Sequence, residues 1–303
     1  MRLRERATLV ANLRSFFDAR GFLEVETPLI VPSPGLDVHL SAFVVAGAAG
    51  PERYLSTSPE YQMKRMLADG HPRLMQISKA FRSDEVGDHH NPEFTMLEWY
   101  RAPGTVEDVM RDTEQLVARA TKGAVTLPGR VVATIPPIRR MTMAEAFETF
   151  ADVSAEDMLA CARDDEDRFF RLLVEKVEPG LERLDHAVFV TEYPASQASL
   201  ARRKPEDPRV AERFELYVAG LELCNGFGEL TDPVEQRARL VADQETRRRR
   251  GLPVYPIDER FLAALEAGLP PCAGNALGVD RLAALACGTR DIRNVLTFTV
   301  ETV

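Results

Sequence analysis

A two-residue turn between two strand-like runs constrains the fold of this chain more than any other sequence feature. Residues 213–218 and 221–225 have the pattern of β-strands, and Ala219-Gly220 joins them. A connection this short links antiparallel strands, because parallel neighbours need a long crossover. Helical and strand patterns mix along the rest of the chain without regular βαβ alternation. We therefore predict an α+β fold with a mostly antiparallel sheet flanked by helices.

Hydrophobic spacing and capping residues locate the other elements. A helix is predicted to end at Gly21, Ser58 is expected to cap a second one, and Asp232 with Glu235 has the spacing of a capping box. No internal repeat or linker divides the chain, so residues 1–303 are expected to form one domain. Further helices are expected at 107–121 and towards 285, strands at 22–30, 73–82, 94–101 and 188–193, and a mostly helical region at 129–185.

The composition narrows the classes of protein to which the chain can belong. Lys and Arg number 38 against 47 Asp and Glu, a net charge of −9, which argues against broad phosphate neutralisation on duplex nucleic acid. The 4 cysteines form no CxxC pair and are expected to be reduced and mostly buried. Residues 1–10 lack the apolar centre of a signal peptide, and no apolar run approaches the roughly 20 residues of a membrane span. We expect a soluble, cytoplasmic protein without a membrane partner.

Several common cofactor and catalytic motifs do not occur in the sequence. GxxxxGK[ST], GxGxxG, HExxH and GxSxG are all missing. ATP would therefore not be held by a P-loop, and Rossmann dehydrogenases, zincins and α/β-hydrolases are disfavoured. The chemistry of the chain must come from other groups of side chains.

The predicted hairpin brings two carboxylates to one face of the sheet. A two-residue turn pairs Tyr217 with Glu222 and Glu215 with Cys224, so Glu215 and Glu222 become diagonal neighbours roughly 7–8 Å apart. Such a pair suits a magnesium ion with polyphosphate, because Mg²⁺ takes few carboxylates and keeps water and phosphate as its other ligands. The alternative interpretation is two solvated acids on a sheet face.

The predicted strands at 73–82 and 94–101 surround a polar loop with several groups suited to binding. Arg82 at the end of the first strand can hold a carboxylate and a phosphate together. Phe94 can stack on a base, and Asn91 can bind the edge of that base. Glu98 and Tyr100 have the same strand parity and together suit an ammonium group, although an ordinary polar hairpin would give the same pattern.

Small residues precede an arginine near the C-terminus. Gly274 and Gly278 allow close approach to the backbone, and Arg281 can stack on or neutralise part of a nucleotide. Close packing of a helix on a strand would explain the same residues. The basic run 247–250 is interpreted as a solvated helix end, with a docking patch for an acidic partner as the sharper alternative.

Taken together, these motifs resemble the class II aminoacyl-tRNA synthetases. Residues 21–28 (GFLEVETP) resemble the first signature of that family, 81–95 the second and 278–282 (GVDRL) the third. The stretch 213–230 resembles the lysyl-specific members. The family resemblance implies a class II catalytic core, activation of an amino acid by ATP with Mg²⁺, and a homodimer formed through the first signature.

Three features resemble the truncated lysyl-tRNA synthetase paralogues that ligate lysine or β-lysine to translation elongation factor P. The chain begins about 20 residues before the first signature, so the anticodon-binding domain of lysyl-tRNA synthetases is expected to be missing. Residues 37–40 and 193–200 resemble the paralogues, and Ala276 stands where lysyl-tRNA synthetases carry glycine. The resemblance implies elongation factor P and lysine or β-lysine as partners, and no tRNA.

The resemblance also assigns roles to individual residues. Arg82 and Arg281 would be the catalytic arginines, and Glu215 and Glu222 would hold magnesium. Asp84 stands where the synthetases usually have Glu, and His89 replaces a position that is often basic. The nucleotide site would consist of Arg82, Ser83, Asp84, His90, Asn91, Phe94, Glu222, Leu223, Gly278 and Arg281, and the substrate site of Ser58, Pro59, Glu60, Glu98, Tyr100, Glu229 and Ala276.

Other functions remain open at this point. A minimal synthetase that charges tRNA, or a free amino-acid ligase such as an asparagine synthetase, would share most of these motifs. A catalytically inactive regulatory module derived from a synthetase is a third possibility. The acids assigned to the lysine pocket argue against asparagine, and the presence of both arginines and both magnesium ligands argues against an inactive module.

Overall fold

An eight-stranded sheet forms the centre of the computed structural model of this chain. The structure describes residues 2–47 and 50–303; Met1, which the expected domain 1–303 includes, and residues 48–49 lie outside that range. The strands are β1 (Leu23–Glu24), β2 (Ile30–Val31), β3 (Tyr54–Leu55), β4 (Arg73–Phe81), β5 (Glu93–Arg101), β6 (Ala124–Leu127), β7 (Arg130–Ala133), β8 (Arg139–Thr142), β9 (Val188–Pro194), β10 (Val210–Val218), β11 (Leu221–Gly228) and β12 (Ala273–Gly278).

Helices pack against this sheet and around its edges. A π-helical turn at Leu173–Val177 and 3₁₀ turns at Ala195–Gln197 and Ile292–Asn294 complete the regular structure of the described residues. The α-helices are α1 (Leu3–Asp18), α2 (Glu60–Ala68), α3 (Val106–Thr121), α4 (Met143–Ala151), α5 (Ala155–Asp164), α6 (Glu166–Leu172), α7 (Glu178–Glu182), α8 (Pro233–Arg249), α9 (Glu259–Gly268) and α10 (Val279–Ala286).

The strand order of the sheet is β1-β4-β5-β12-β11-β10-β9-β8. The outermost pairs, β1 with β4 and β8 with β9, are parallel. The pairs between β4 and β9 are all antiparallel. The predicted α+β class with a mostly antiparallel sheet is confirmed. Of the predicted strand at 22–30, only the short β1 and β2 form, on either side of Pro28, which cannot donate to a strand ladder.

The predicted two-residue hairpin turn is present between β10 and β11. Ala219 and Gly220 have φ of +55° and +76°, as a type I′ turn requires. Tyr217 pairs with Glu222 as predicted, but the predicted pairing of Glu215 with Cys224 is wrong, because Glu215 pairs with Asn225. A β-bulge next to Tyr217 shifts the register by one residue.

The observed helix caps confirm only part of the predicted capping. Ser58 Oγ accepts a hydrogen bond from the backbone N–H of Glu60, the first residue of α2. Asp232 caps α8 by accepting from two backbone N–H groups, but the reciprocal half of the predicted capping box is not formed. The carboxylate of Glu235 instead forms an ion pair with Arg239 at 2.6 Å. A salt bridge one turn along the helix thus replaces the expected backbone contact.

The main hydrophobic core lies between the sheet and the helices α1, α3 and α10. Phe17 and Trp99 are fully buried there, with ring centroids 5.2 Å apart. The 4 cysteines are free and buried, as predicted. None of the described helices has the length and apolar character that a membrane crossing requires.

Arg247 is not solvent-exposed, in contrast to the interpretation of the run 247–250 as a solvated helix end. Its side chain is fully buried and donates hydrogen bonds to the backbone oxygens of Asp37 (2.6 Å), Leu40 (3.0 Å) and Pro253 (2.6 Å). It joins α8 to the 37–40 segment, and so it is not available for docking. The next three arginines of the run are exposed.

Candidate active site

The register of the sheet builds the floor of the candidate site. Glu98, Ala276, Asn225 and Glu215 are successive Cα partners across β5, β12, β11 and β10. Directly opposed residues point to the same face of a sheet. Acidic and amide side chains from three strands, with the small Ala276 of a fourth among them, are therefore aligned in a single row.

A cavity of about 290 Å³ opens over this floor. It is lined by twelve of the residues that the sequence assigned to the site, and they come from the segment before α2, α2, the loop between β4 and β5, β5, β11, β12 and α10. These residues are Ser58, Glu60, Arg82, His90, Asn91, Phe94, Glu98, Glu222, Leu223, Ala276, Gly278 and Arg281.

Six assigned residues do not line the cavity. Asp84 is exposed and accepts a hydrogen bond from Ser83 Oγ at 3.2 Å. The neighbouring Glu85 lines the cavity instead and forms an ion pair with Arg82 at 3.2 Å. The departure of Asp84 from the family pattern was visible in the sequence, but the turn that brings Glu85 inward was not. The other four are Pro59, Tyr100, Glu215 and Glu229.

One end of the cavity carries guanidinium groups and an aromatic ring. The guanidinium carbon of Arg82 lies 5.1 Å from the centroid of Phe94. Arg281 donates hydrogen bonds to the backbone oxygens of Glu222 (2.8 Å) and His89 (3.3 Å). This cationic end can neutralise phosphate oxygens, while the aromatic ring offers a surface for a base.

His90 lies beside the second arginine. Its Nε2 is 2.6 Å from Nη2 of Arg281. Burial, together with the positive charge of Arg281, lowers the pKa of His90 below its ordinary value. The imidazole is therefore neutral at physiological pH and accepts a hydrogen bond from the guanidinium.

The other end of the cavity is acidic. Glu98 accepts hydrogen bonds from Ser58 Oγ at 2.5 Å and from the Tyr100 hydroxyl at 3.0 Å. Burial and the nearby carboxylate of Glu60 raise the pKa of Glu98 to about 8. At neutral pH a carboxyl group with this pKa is mostly protonated, and a bound cation favours its charged form.

Lys64 connects two further acids of this end and was missed in the sequence. Its Nζ lies 2.6 Å from Glu60 Oε1 and 2.5 Å from Glu229 Oε2, and its side chain is fully buried. The position of Lys64 four residues after Glu60 on a helix was the available signal. Gly274 leaves the room that Tyr100 and Glu229 occupy, because a Cβ there would lie 2.2 Å and 2.8 Å from their atoms.

The two proposed magnesium ligands have different surroundings. The oxygens of Glu215 are engaged by Arg213 and by the Tyr217 hydroxyl, each at 2.7 Å, and Glu215 is buried. Glu222 faces the cavity, and its side chain is 38% exposed. Desolvation and the charge of Glu215 raise the pKa of Glu222 to about 7, against the opposing effect of Arg281.

A third wall of the cavity was not assigned from sequence. Asp37, Ser199 and Asp243 line it, from the 37–40 segment, the loop after Gln197 and α8. Burial and the charge of Asp37 raise the pKa of Asp243 to about 6. Two segments that are far apart in sequence, 37–40 and 193–200, thus meet at the same opening.

Comparisons with known proteins agree with this geometry. A family model described as class II tRNA synthetases (D, K and N) matches residues 1–302. A protein named elongation factor P–(R)-β-lysine ligase from Klebsiella pneumoniae (strain 342) is 43% identical over 321 residues, covering 99% of this chain and 95% of the relative. Proteins with the same name are 43% identical in Proteus mirabilis (98% and 94% covered) and 45% identical in Pectobacterium atrosepticum (99% and 95% covered).

Proposed function

Because the chain belongs to the class II tRNA synthetase family, we propose that it activates lysine or (R)-β-lysine with ATP and ligates it to a lysine side chain of translation elongation factor P. The names of its relatives, which are 43–45% identical over nearly their full length, support this acceptor and this amino acid. One observation carries the proposal: a single cavity holds the acids Glu60 and Glu98 and the guanidinium groups of Arg82 and Arg281.

The first step joins the amino-acid carboxylate to the α-phosphate of ATP. A carboxylate oxygen forms the new bond to the α-phosphorus, the bond to the β-phosphate oxygen breaks, and pyrophosphate leaves. Catalysis of phosphoryl chemistry rests mainly on alignment and on stabilisation of charge. Arg82 would hold the substrate carboxylate beside the α-phosphate, and Phe94 and Arg281 would enclose the adenine. Asn91, Leu223 and Gly278 complete the proposed nucleotide site, and His90 would lie near the outer phosphates. Ser83 and Asp84, which the resemblance also assigns to this site, lie outside the cavity.

Magnesium fits the acids Glu215 of β10 and Glu222 of β11 only together with the phosphates of ATP. Glu222 presents a partly exposed carboxylate to the cavity and would hold the ion directly. Glu215 already accepts from Arg213 and Tyr217, so it would support the ion with its remaining lone pairs. Two carboxylates with room for phosphate match the ligand preference of Mg²⁺. When bound, the ion would neutralise charge on the phosphates.

The second step transfers the activated group to the protein acceptor. The ε-amine of the acceptor lysine attacks the adenylate carbonyl, an amide bond forms, and AMP leaves. The attacking amine must lose a proton in this step. The acceptor would enter along the wall that contains Asp37 and Asp243, where acids favour a cationic side chain.

The choice of lysine isomer is proposed to depend on Ala276. Its methyl group lies in the row that includes Glu98, and it lines the cavity. A substrate whose amino group approaches the backbone of β12 would meet this methyl, whereas a β-amino isomer would place that group elsewhere. A difference of this size is worth about 1–3 kcal/mol, enough to favour β-lysine.

The proposed enzyme is a cytoplasmic homodimer that does not charge tRNA. Leu23, Leu29 and Ile30, in and beside the first signature, are 52%, 39% and 53% exposed. Exposed apolar residues close together typically mark a protein interface. The acceptor in the name of the relatives is a protein, which supports elongation factor P over tRNA.

Labelling of the acceptor tests the proposal. The purified chain is incubated with ATP, Mg²⁺ and radioactive lysine or β-lysine, together with either elongation factor P or lysine tRNA. We expect label on elongation factor P and none on tRNA. Label on tRNA alone would establish a minimal synthetase instead, and release of AMP with label on neither would indicate a free amino-acid ligase.

A further inference from the structure

Lys64 is a buried ionisable residue to which the proposed reaction gives no role. Its side chain is fully enclosed, yet its ammonium contacts acids from two different elements. We propose that Lys64 is a positioning residue that fixes Glu60 and Glu229 and sets the charge of the acidic end to match a substrate with two ammonium groups. The inference rests on the proposed function, because it concerns how the same pocket selects a diamino acid.

The contacts leave one oxygen of each acid free. Lys64 approaches Oε1 of Glu60 and Oε2 of Glu229. Glu60 lines the cavity with a side chain that is 16% exposed. Glu229 is 1% exposed, and neither of its oxygens has a hydrogen-bond partner among the described residues, so its contact with Lys64 is an ion pair through Oε2. The ammonium thus orients both carboxylates without using up their capacity to bind a second cation.

When its acids are ionised, the acidic end has a net charge equal and opposite to that of the substrate's two ammonium groups. Glu60, Glu98 and Glu229 contribute three negative charges when ionised, and Lys64 contributes one positive charge, which leaves two negative charges. A diamino acid brings two ammonium groups, while its carboxylate belongs with Arg82 at the other end. Without Lys64, three carboxylates would face two cations, and mutual repulsion would keep one of them protonated.

The surroundings keep Lys64 charged. Burial alone would lower the pKa of Lys64, but the carboxylates of Glu229 and Glu60 raise it above its ordinary value. Tyr100 from β5 and Cys272 before β12 also face this group, and burial raises the pKa of both, so they stay neutral. Glu98 from β5, whose pKa is raised to about 8, adds a negative charge only when it is ionised. Over the working pH range, Lys64 is a constant positive charge within the acidic end.

Lys64 is a fixed part of the pocket. Its ion pair with Glu60 spans one turn of α2. The helix is held in place by Tyr61, whose ring stacks on Phe261 of α9 with centroids 4.4 Å apart. Lys64 itself lies 5.9 Å from the same phenylalanine ring. The ammonium therefore stays with the acids while substrates come and go.

The test compares the wild-type enzyme with Lys64→Met, Glu229→Gln and the double variant, using lysine-dependent ATP–pyrophosphate exchange. The net charge of the ionised acidic end is −2 in the wild type, −3 in Lys64→Met, −1 in Glu229→Gln and −2 again in the double variant. KM and kcat are measured across about pH 6 to 9, where the raised carboxyl groups titrate. Thermal unfolding verifies that each variant is folded.

We expect Lys64→Met to raise KM for lysine about tenfold near neutral pH, equivalent to roughly one unit of pKa, with less change in kcat. The pH at which KM falls should move upward in Lys64→Met and downward in Glu229→Gln. The double variant should recover most of the loss and the wild-type pH profile. Thermal unfolding distinguishes a purely structural role, because loss of a buried ion pair would lower stability without moving the pH profile of KM.

Two results would overturn the inference. One is a KM and pH profile unchanged by Lys64→Met; the other is a double variant no better than Lys64→Met. If Lys64→Met does not fold, the pH profile of KM in Glu229→Gln tests the inference. An unchanged profile in that variant counts against it. Absence of exchange in the wild type would instead contradict the proposed function, so the two failures can be told apart.

Discussion

The guanidinium of Arg281 donates a hydrogen bond to the backbone oxygen of Glu222 at 2.8 Å. This contact ties the first turn of α10 to the start of β11, two elements that are separated by α8, α9 and β12 in the chain. The same guanidinium reaches His90 in the loop between β4 and β5. The cationic end of the cavity is therefore assembled by one side chain before any nucleotide binds.

Arg281 is expected to be sensitive even to conservative replacement. Lysine cannot reproduce a fork that donates to Glu222 and His90 together, so Arg281→Lys should lower kcat/KM for ATP on the order of 100-fold. Amino-acid-dependent ATP–pyrophosphate exchange measures the effect. Arg248→Lys, on the exposed end of α8, is the matched control and should leave kcat/KM for ATP unchanged. Equal activity of both variants would remove Arg281 from the nucleotide site.

The affinity for lysine should increase with pH. The pKa of Glu98 is about 8 in the substrate-free pocket, so the carboxyl is protonated below that pH and must ionise to bind an ammonium group. KM for lysine should therefore fall between pH 6 and 8, by at most about tenfold per pH unit for one proton. Glu229, whose pKa is also raised, acts in the same direction.

The control for this pH effect is Glu98→Gln. The amide cannot ionise, so the variant should bind lysine weakly and show a flatter pH profile. A profile of KM that is level between about pH 6 and 8 in the wild type would contradict the raised pKa of Glu98.

Ala276→Gly tests the proposed control of the lysine isomer. Removing the methyl should improve use of α-lysine relative to β-lysine by about 1–3 kcal/mol, a change of up to two orders of magnitude. The ratio of kcat/KM for the two isomers in pyrophosphate exchange is the measurement. Ala273→Gly, at the other end of β12 and facing the core, serves as a control for loosening of the strand. An unchanged ratio in Ala276→Gly would assign selection to another residue.

Arg247 is expected to matter for stability. Its removal in Arg247→Met leaves the backbone oxygens of Asp37, Leu40 and Pro253 without their donor in a buried site. A loss of about 3 kcal/mol in the free energy of unfolding is expected. Arg248→Met, one position along the same helix, should cost less than about 0.5 kcal/mol. Chemical denaturation measures both, and similar losses would contradict the structural role of Arg247.

The sequence predicts the fold well because local patterns determine it, and twelve of the residues that it assigns to the site line one cavity. The turn at Ala219-Gly220 defines the antiparallel hairpin, and strand parity places Glu98 and Tyr100 on one face. The bulge beside Tyr217 was not predictable, because an inserted residue changes pairing without changing composition. Local sequence patterns therefore do not predict the strand register where a bulge changes the pairing.

Other features of the site depend on long-range packing. From its sequence position alone, Lys64 is an ordinary helical lysine. Its contact with Glu229, which follows β11, depends on how the fold packs α2. From its sequence position alone, Arg247 belongs to a solvated basic run. Its burial depends on packing against the 37–40 segment. Glu85 lines the cavity instead of Asp84 because of a turn that no residue type dictates. In the first two cases the partner lies far away in sequence.

The most direct test of the central claim is ATP–pyrophosphate exchange by the wild-type chain with α-lysine, (R)-β-lysine and norleucine side by side. The charges at the two ends of the cavity predict exchange with the diamino acids, strongest with β-lysine, and none with norleucine, which lacks the side-chain ammonium group. Exchange with norleucine as good as with lysine, or no exchange with either lysine isomer, would contradict the account.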